Sequence, residues 1–456
     1  MSGAVVKFSI VVFLALVFST SAMAAYDHIV DWSDMSAVDL RPALDSQYGS
    51  EANLFNPNIS QSDYDLALRD ADVKISSEFK IPPGMRPLVA FWLKIYTLYT
   101  THNIVIFDKK HPEVIYDVLD FKNLSKTARN RVVYEILAER RTKAAVRNYR
   151  AALIALSKNQ KPKRPTEYQK RILAALKKTK HKHSYNELAR NIRTQTGQRD
   201  NIIKGLMAAE TFFPKMEQLF QAHRLPLELT RLPLVESSFN LNALSRVGAA
   251  GVWQFMLRSA HEFMLVDERV EIDERLSPLK STVAAAKLLA RNKRILKSWP
   301  LAITAYNHGI RNLKKIPASS KQFSQIGKLF DPCSETSPLG WASRNYYAEF
   351  LAVVYAEAYR KLFYGNPPTD PIKSIAFHKI SKSRSALTIA MERSIPLHDF
   401  RLLNPDIRNL NKKLPVGLWI AIPAENDDIA GLMKKGLKQA SLRKILPRTK
   451  NVNNAG

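Results

Sequence analysis

Three short segments bring together side chains that can do chemistry. The first is Leu232-Pro-Leu-Val-Glu-Ser-Ser-Phe239, in which Glu236 follows an apolar helical run. A carboxylate in such surroundings is costly to bury charged, and desolvation would raise its pKa toward the range of a general acid. Pro233 is expected to bend or end the helix, which presents Glu236 near a helix end. The second, twelve residues on, is Gly248-Ala-Ala-Gly-Val-Trp-Gln-Phe255. The chain has only 15 Gly, and two of them here permit a tight turn and a close approach of backbone to a ligand. Trp253 can pack against a sugar face or the core, and Gln254 can hydrogen-bond a polar substrate. The third is Ala305-Tyr-Asn-His-Gly309, expected after a helix that ends near Trp299-Pro300. It sets a phenol and an amide beside another Gly. A helix cap or a turn would explain any one of these segments by itself.

The elements that must position them are helical. Asn201 to Arg224 carries apolar residues at helical period (Ile203, Leu206, Met207, Phe213, Met216, Leu219, Phe220). Leu225-Pro226 restarts a helix with Glu228 in its first turn, and Ser277-Pro278 starts another, Ser as N-cap and Pro at the first helical position. No period-2 alternation interrupts 201–365, so this stretch is predicted to be all-α. Residues 86–107 are aromatic and apolar, mostly at helical spacing, and predict a core-facing helix. Ala144–Leu156 and Tyr168–Leu176 predict helices with solvated basic faces, joined by a Lys/Pro-rich loop over 158–165.

In this order and spacing, the set resembles the soluble lytic transglycosylase (goose-lysozyme-like) family. The segments that carry the resemblance are Glu236-Ser237, Gly248 to Gln254, Ala284-Ala285 and Ala305 to Gly309, with Arg344-Asn-Tyr-Tyr347 matching a segment on the family's last helix. Leu225-Pro-Leu-Glu-Leu leads into the Glu, as in the D-type branch. A second resemblance covers 372–424: Ser394-Ile395, Leu403-Asn-Pro-Asp406 and Leu414 to Pro423 are similar to a LysM module, a small βααβ unit that binds N-acetylglucosamine polymers. D-type members carry such modules after the catalytic domain. Here the usual Gly-Asp-Thr-Leu of the first helix is replaced by Ser383-Arg-Ser-Ala-Leu387, so a retained fold is expected ahead of a retained glycan affinity.

The implied fold class is mainly α: a lysozyme-like helical catalytic domain over 201–365, a basic, mostly helical region over 25–200, and a degenerate LysM-like α+β module over 372–424. The implied activity is cleavage of the β-1,4 bond between N-acetylmuramic acid and N-acetylglucosamine in peptidoglycan without water. Glu236 would first protonate the glycosidic oxygen, then act as base on the muramoyl C6 hydroxyl, closing a 1,6-anhydro ring. One carboxylate suffices because the nucleophile is already on the substrate, whereas ordinary glycosidases need two. The acidic cluster Asp267-Glu268 to Asp273-Glu274 is expected at the surface. By the same resemblance, Ser237 would hydrogen-bond the Glu236 carboxylate and Gln254 would contact substrate near the cleavage point. Tyr306 and Asn307 would orient Glu236 and stabilise developing charge, and Gly251, Trp253 and Tyr346 would complete the substrate-binding set. His308 stands where the family usually has a small residue. No metal and no cofactor is expected. Two rival readings fit the same residues: a muramidase-type hydrolase on this scaffold, and a non-catalytic wall-binding or scaffold protein.

Composition bounds the partners. Of 456 residues, 46% are hydrophobic, which excludes disorder of the whole chain. Net charge is +28, which draws the chain to polyanions. Residues 140–200 hold 18 Lys/Arg against Glu167, Glu187 and Asp200. After Gly431 come seven Lys/Arg and no acid, a basic tail over 431–456. One cysteine, Cys333, excludes an internal disulfide and cysteine-rich zinc sites. Residues 1–24 have the order of a secretory signal peptide: Lys7, an apolar run from Phe8 to Phe18, then Ala22-Met-Ala24. Without a Cys at the cleavage site, no lipid anchor is expected there. The expected place is the periplasm, in association with the wall. The expected partner is therefore the glycan strand, with peripheral contact to an anionic wall or membrane surface, and not nucleic acid.

Overall fold

The computed structural model describes residues 59–179, 184–365 and 374–424. The expected signal peptide, the first part of the N-terminal region and the basic tail lie outside the described residues. In chain order the elements used below are α1 (Gln61–Arg69), α2 (Arg86–Thr97), β1 (Asn103–Asp108), β2 (Ile115–Asp120), α3 (Arg131–Lys158), α4 (Glu167–Lys177), α5 (Tyr185–Asn191) and β3 (Ile192–Thr196). There follow α6 (Arg199–Ala209), α7 (Phe213–Ala222), α8 (Leu232–Ser237), β4 (Val266–Asp267), β5 (Ile272–Asp273), α9 (Pro278–Leu296), α10 (Trp299–His308), α11 (Phe323–Phe330) and α12 (Trp341–Ala358). The C-terminal part is β6 (Ile375–Lys379), α13 (Ala386–Glu392), α14 (Leu397–Leu403) and β7 (Trp419–Pro423). The fold is mainly α, as the sequence implied, with a few small sheets.

The chain divides into two compact units, each built from two stretches of sequence. One takes Met1–Met207 with Leu288–Pro368; the other takes Ala208–Lys287 with Thr369–Gly456.

In the first unit α2 is apolar on nearly all sides and packs along α12, whose residues from Asn345 to Ala356 are buried. A helix hydrophobic all round belongs inside. The Trp92 indole N–H donates to Asn345 Oδ1 at 2.7 Å, so the one polar atom of that ring is satisfied. Asn345 thereby joins two helices, while Arg344 donates to the carbonyls of Leu339, Asp331 and Pro332.

The helix expected through 107 stops at Thr97, and 103–107 is a strand. Asn103–Asp108 lies at the centre of an antiparallel sheet, order β2-β1-β3. The β-branched run Ile104-Val-Ile is better matched to a pleated surface than to a helix. Ile106, Val114, Tyr116, Tyr149, Leu153, Leu156, Ile172 and Leu188 form one apolar cluster uniting this sheet with α3, α4 and α5. Asn130 caps α3 and a Thr166–Gln169 capping box starts α4, on either side of the expected 158–165 loop. The basic residues of α3, among them Arg140, Arg141, Lys143 and Arg147, are exposed.

In the second unit β6 and β7 pair antiparallel around α13 and α14, giving the β-α-α-β order. Ser385 caps α13 by accepting from Thr388 N, so the departure at 383–387 still supplies a cap. Asn404 donates to Ala421 O and accepts from Ala421 N, tying α14 to β7. The apolar core of this part includes Ile272, with Leu265 and Val270 packed against it. Residues 374–424 therefore share a core with the 265–272 segment instead of forming a separate bead.

Candidate active site

The second unit holds Glu236. A 3-10 turn, Leu227–Arg231, runs into α8, where Pro233 sits in the first turn. Pro233 thus opens the helix rather than ending it: its missing N–H is one that no helix start could use, and its fixed φ suits that position. What ends α8 is the backbone after Glu236. Ser238 (φ 49) and Phe239 (φ 57) are both left-handed, and their N–H groups close on Leu234 O and Pro233 O. Two successive non-glycine residues there cost roughly 1–2 kcal/mol each. The Phe239 ring, buried against Phe212 and Phe213, repays part of that cost by apolar contact. Glu236 is half-buried in the last turn, between buried Val235 and Ser237.

Ser237 makes a contact that the resemblance did not imply. Its hydroxyl is buried and donates to Val252 O at 2.9 Å. A hydroxyl has one proton, so while this bond stands it has none for a carboxylate. Ser237 instead ties the end of α8 to the glycine motif.

That motif is a tight double-back. Gly251 N donates to Ala243 O at 2.7 Å, and Ala250 and Phe255 exchange backbone bonds. Gly248 (φ 86), Gly251 (φ 73) and Gln254 (φ 48) are left-handed. A Cβ on Gly251 would meet Arg275 O at 1.8 Å, so only glycine fits. The Gln254 amide nitrogen donates to Gly251 O at 2.8 Å, which fixes the side chain of a half-buried residue and leaves its oxygen as acceptor. Trp253 takes the core alternative. It is 0% exposed, stacked on Phe220, with its indole N–H donating to Thr282 Oγ1 at 2.9 Å.

The acidic cluster splits. Glu268 is exposed and Asp267 is half-buried, and the Arg269 hydrogen bond holds the Asp267 carboxyl below its ordinary range. Asp273 and Glu274 are each only 2% exposed, against the surface position expected. The reason lies in distant partners. Asp273 takes a two-pronged contact from Arg275 (2.9 and 2.8 Å) and one from Arg408 (3.2 Å). Glu274 accepts from Leu265 N and pairs with Lys280, which also reaches Asp406 at 2.5 Å. Burial pulls the Lys280 ammonium down, but Asp406 and Glu274 outweigh it and hold it above its ordinary value. Arg275 then donates onward to Gly248 O (2.8 Å) and Phe255 O (3.3 Å), the two ends of the glycine motif. Sequence reasoning missed Arg275. The available signal was an Asp-Glu-Arg triplet flanked by Ile272 and Leu276, charges where the apolar pattern calls for core.

The first unit holds Tyr306 and Asn307. They lie in the last turn of α10, which starts at Trp299 with Pro300 in its first turn, so the helix expected to end there begins there. Both are half-buried. Gly309 (φ 81) ends the helix, and exposed His308 meets Ser343 Oγ through Nδ1 at 2.8 Å, joining α10 to the first turn of α12. Tyr346 is buried on α12, 2% exposed. Among the described residues no cluster of three His, Cys, Asp or Glu could hold a metal ion, and no helix is long and apolar enough to cross a membrane.

Comparison with known proteins adds a family to this geometry. Residues 217–327 match the model of the transglycosylase SLT domain. Glu236, Ser237, Gly251, Trp253, Gln254, Tyr306 and Asn307 all fall within the match, and Tyr346 lies beyond it. The chain is 25% identical over 224 residues to the membrane-bound lytic murein transglycosylase D of Escherichia coli K12, covering 49% of this chain and 48% of the relative. The protein of the same name from E. coli O6:H1 aligns equally well. A putative tributyltin chloride resistance protein of an Alteromonas species is 36% identical over 94 residues, 20% of this chain and 43% of that one. The chain thus spans just under half the length of the curated relatives it matches.

Proposed function

We propose, from the transglycosylase SLT domain at 217–327 as premise, that the chain is a peptidoglycan lytic transglycosylase acting in the cell envelope. It cleaves the bond between N-acetylmuramic acid and N-acetylglucosamine without water. The observation that carries this reading is the setting of Glu236: a half-buried carboxylate at a helix end, followed by two left-handed residues and tied through Ser237 to the glycine motif. Strain of this kind persists where the surrounding fold over-determines it, and it clusters at functional sites.

Glu236 donates its proton to the glycosidic oxygen as the C1–O bond breaks. The resulting carboxylate then takes the proton of the muramoyl C6 hydroxyl while that oxygen closes on C1. Proton and electron pair balance across the two steps, and Glu236 ends protonated as it began. Gln254, with its nitrogen held by Gly251 O, offers an acceptor to a sugar hydroxyl or amide. Ser237 and Arg275 act on the turn that presents Glu236 and Gln254. By the resemblance, Tyr306 and Asn307 are assigned to the substrate-binding set. Residues 374–424 serve as a LysM-like module whose first duty is structural.

Fragments released from purified sacculi by the protein and by Glu236→Gln, weighed by mass spectrometry, test the reading. Muropeptides lighter by one water than hydrolytic products, absent with the variant, are the expected result. Reducing ends of full mass would mean a hydrolase. Binding to sacculi without fragments would mean a wall-binding protein.

A further inference from the structure

Arg193 is a cation without a counterion. Its guanidinium carbon lies 3.8 Å over the ring of Trp341, its Nε is buried with no hydrogen-bond partner, and among the described residues no carboxylate pairs with it. Neighbouring cations of the same unit are compensated: Lys110 by Glu187 and Arg171 by Asp117. Burial alone pushes the Arg193 pKa down to about 10. A partly desolvated charge left unpaired is unfavourable, and an anion arriving from outside would relieve it.

The surroundings fit an anion. Trp341, half-exposed, is the first residue of α12, an 18-residue helix. Its N-cap is Gly340, which has no side chain to satisfy the first amides. The positive end of α12 therefore adds to Arg193. Stacking on the indole holds the guanidinium flat, leaving in-plane N–H groups for a forked contact with a planar carboxylate. The position is close to the reacting segment of this unit: Ser343, in the same helical turn as Trp341, bonds His308, the neighbour of Asn307.

We infer that Arg193 and Trp341 form a subsite for a carboxylate of the stem peptides that hang from the glycan strand. This rests on the proposed function, because in peptidoglycan the anions beside the sugars are those carboxylates. The site would make cleavage or binding favour strands that keep their stems.

The first arm measures cleavage of intact strands and of strands stripped of stems by an amidase. The wild type should prefer intact strands, and Arg193→Ala should lower the preference ratio roughly tenfold or more, the scale of a charged hydrogen bond. Arg193→Lys, which keeps the charge and loses the fork, should fall between. A general folding defect lowers both rates and leaves the ratio in place, so an unchanged ratio in Arg193→Ala overturns the subsite. The second arm needs no catalysis: titration of the protein with released stem peptide, its carboxylates free or methyl-esterified. Binding of the free acid alone, lost in Arg193→Ala, supports the subsite even if no glycan is cut. Equal binding of acid and ester, or none of either, rejects it.

Discussion

The 103–196 region and the 232–280 region are held by opposite means. The first closes an apolar cluster between a three-stranded sheet and capped helices, with most of its charges in water. The second packs six left-handed backbones, at Ser238, Phe239, Gly248, Gly251, Gln254 and Glu271, beside buried ion pairs at Asp273, Glu274, Arg275 and Lys280. Apolar burial tolerates exchange of similar volumes, whereas a desolvated ion pair stabilises only while both partners are present. The contrast suggests that the stability of the molecule and the geometry of its site can be perturbed separately.

The sharpest separation is Glu236→Gln, which should reduce product release about a hundred- to ten-thousandfold while leaving the melting temperature within error. A parallel loss of stability would mean that Glu236 is a brace and not an acid. Next is Arg275→Met. It leaves Asp273 with only the longer Arg408 contact and frees two carbonyls of the glycine motif, and should cost about 3–5 kcal/mol in denaturant unfolding along with most activity. Gly251→Ala should be comparably damaging, since Arg275 O blocks the Cβ, whereas Gly340→Ala, with open space around it, should be near neutral.

These expectations show what the sequence alone could carry. The chemistry-bearing segments and the βααβ order were legible because each is local: a Glu after an apolar run, paired glycines, Ser277 before Pro278, whose hydroxyl does accept from Lys280 N. The burial of Asp273 and Glu274 was not, because Arg408 and Asp406 lie more than a hundred residues away. β3 was equally hidden. Ile192-Arg-Thr-Gln-Thr196 is a mostly polar strand, and only pairing with β1 makes it one. Pro233 misled because the same ring that breaks a helix interior is welcome at a helix start. Left-handed Phe239 has no local signal at all; the pocket of Phe212 and Phe213 dictates it.

A smaller effect sharpens the comparison from the other side. In the sheet region, Asp108 joins Arg193 as an exception, a buried carboxyl at the end of β1 whose pKa burial pushes up to about 6 despite bonds from Lys110 and His111 N–H. Because the folded value lies above the unfolded one, the protonated form favours folding, and stability is lost as pH rises from about 4 through about 6. Asp108→Asn keeps the acceptor without the charge. Unfolding of the two proteins across that range should show the variant gaining up to about 3 kcal/mol on the wild type. Smallest is Thr166→Ala, expected to cost about 1 kcal/mol of helix capping and no activity.

The ion pairs that brace the glycine motif also set a clock. Arg408 and Asp406 emerge late from any ribosome, long after Glu236 and Gly251. Until they do, Asp273 has only Arg275 and Lys280 only Glu274, and the bracing of the turn is unfinished. A nascent or truncated chain ending before residue 406 would therefore hold every candidate site residue while the bracing of the glycine motif is incomplete. For a protein proposed to open the wall of the cell that makes it, such lateness would place the finished turn after the synthesis of residue 408.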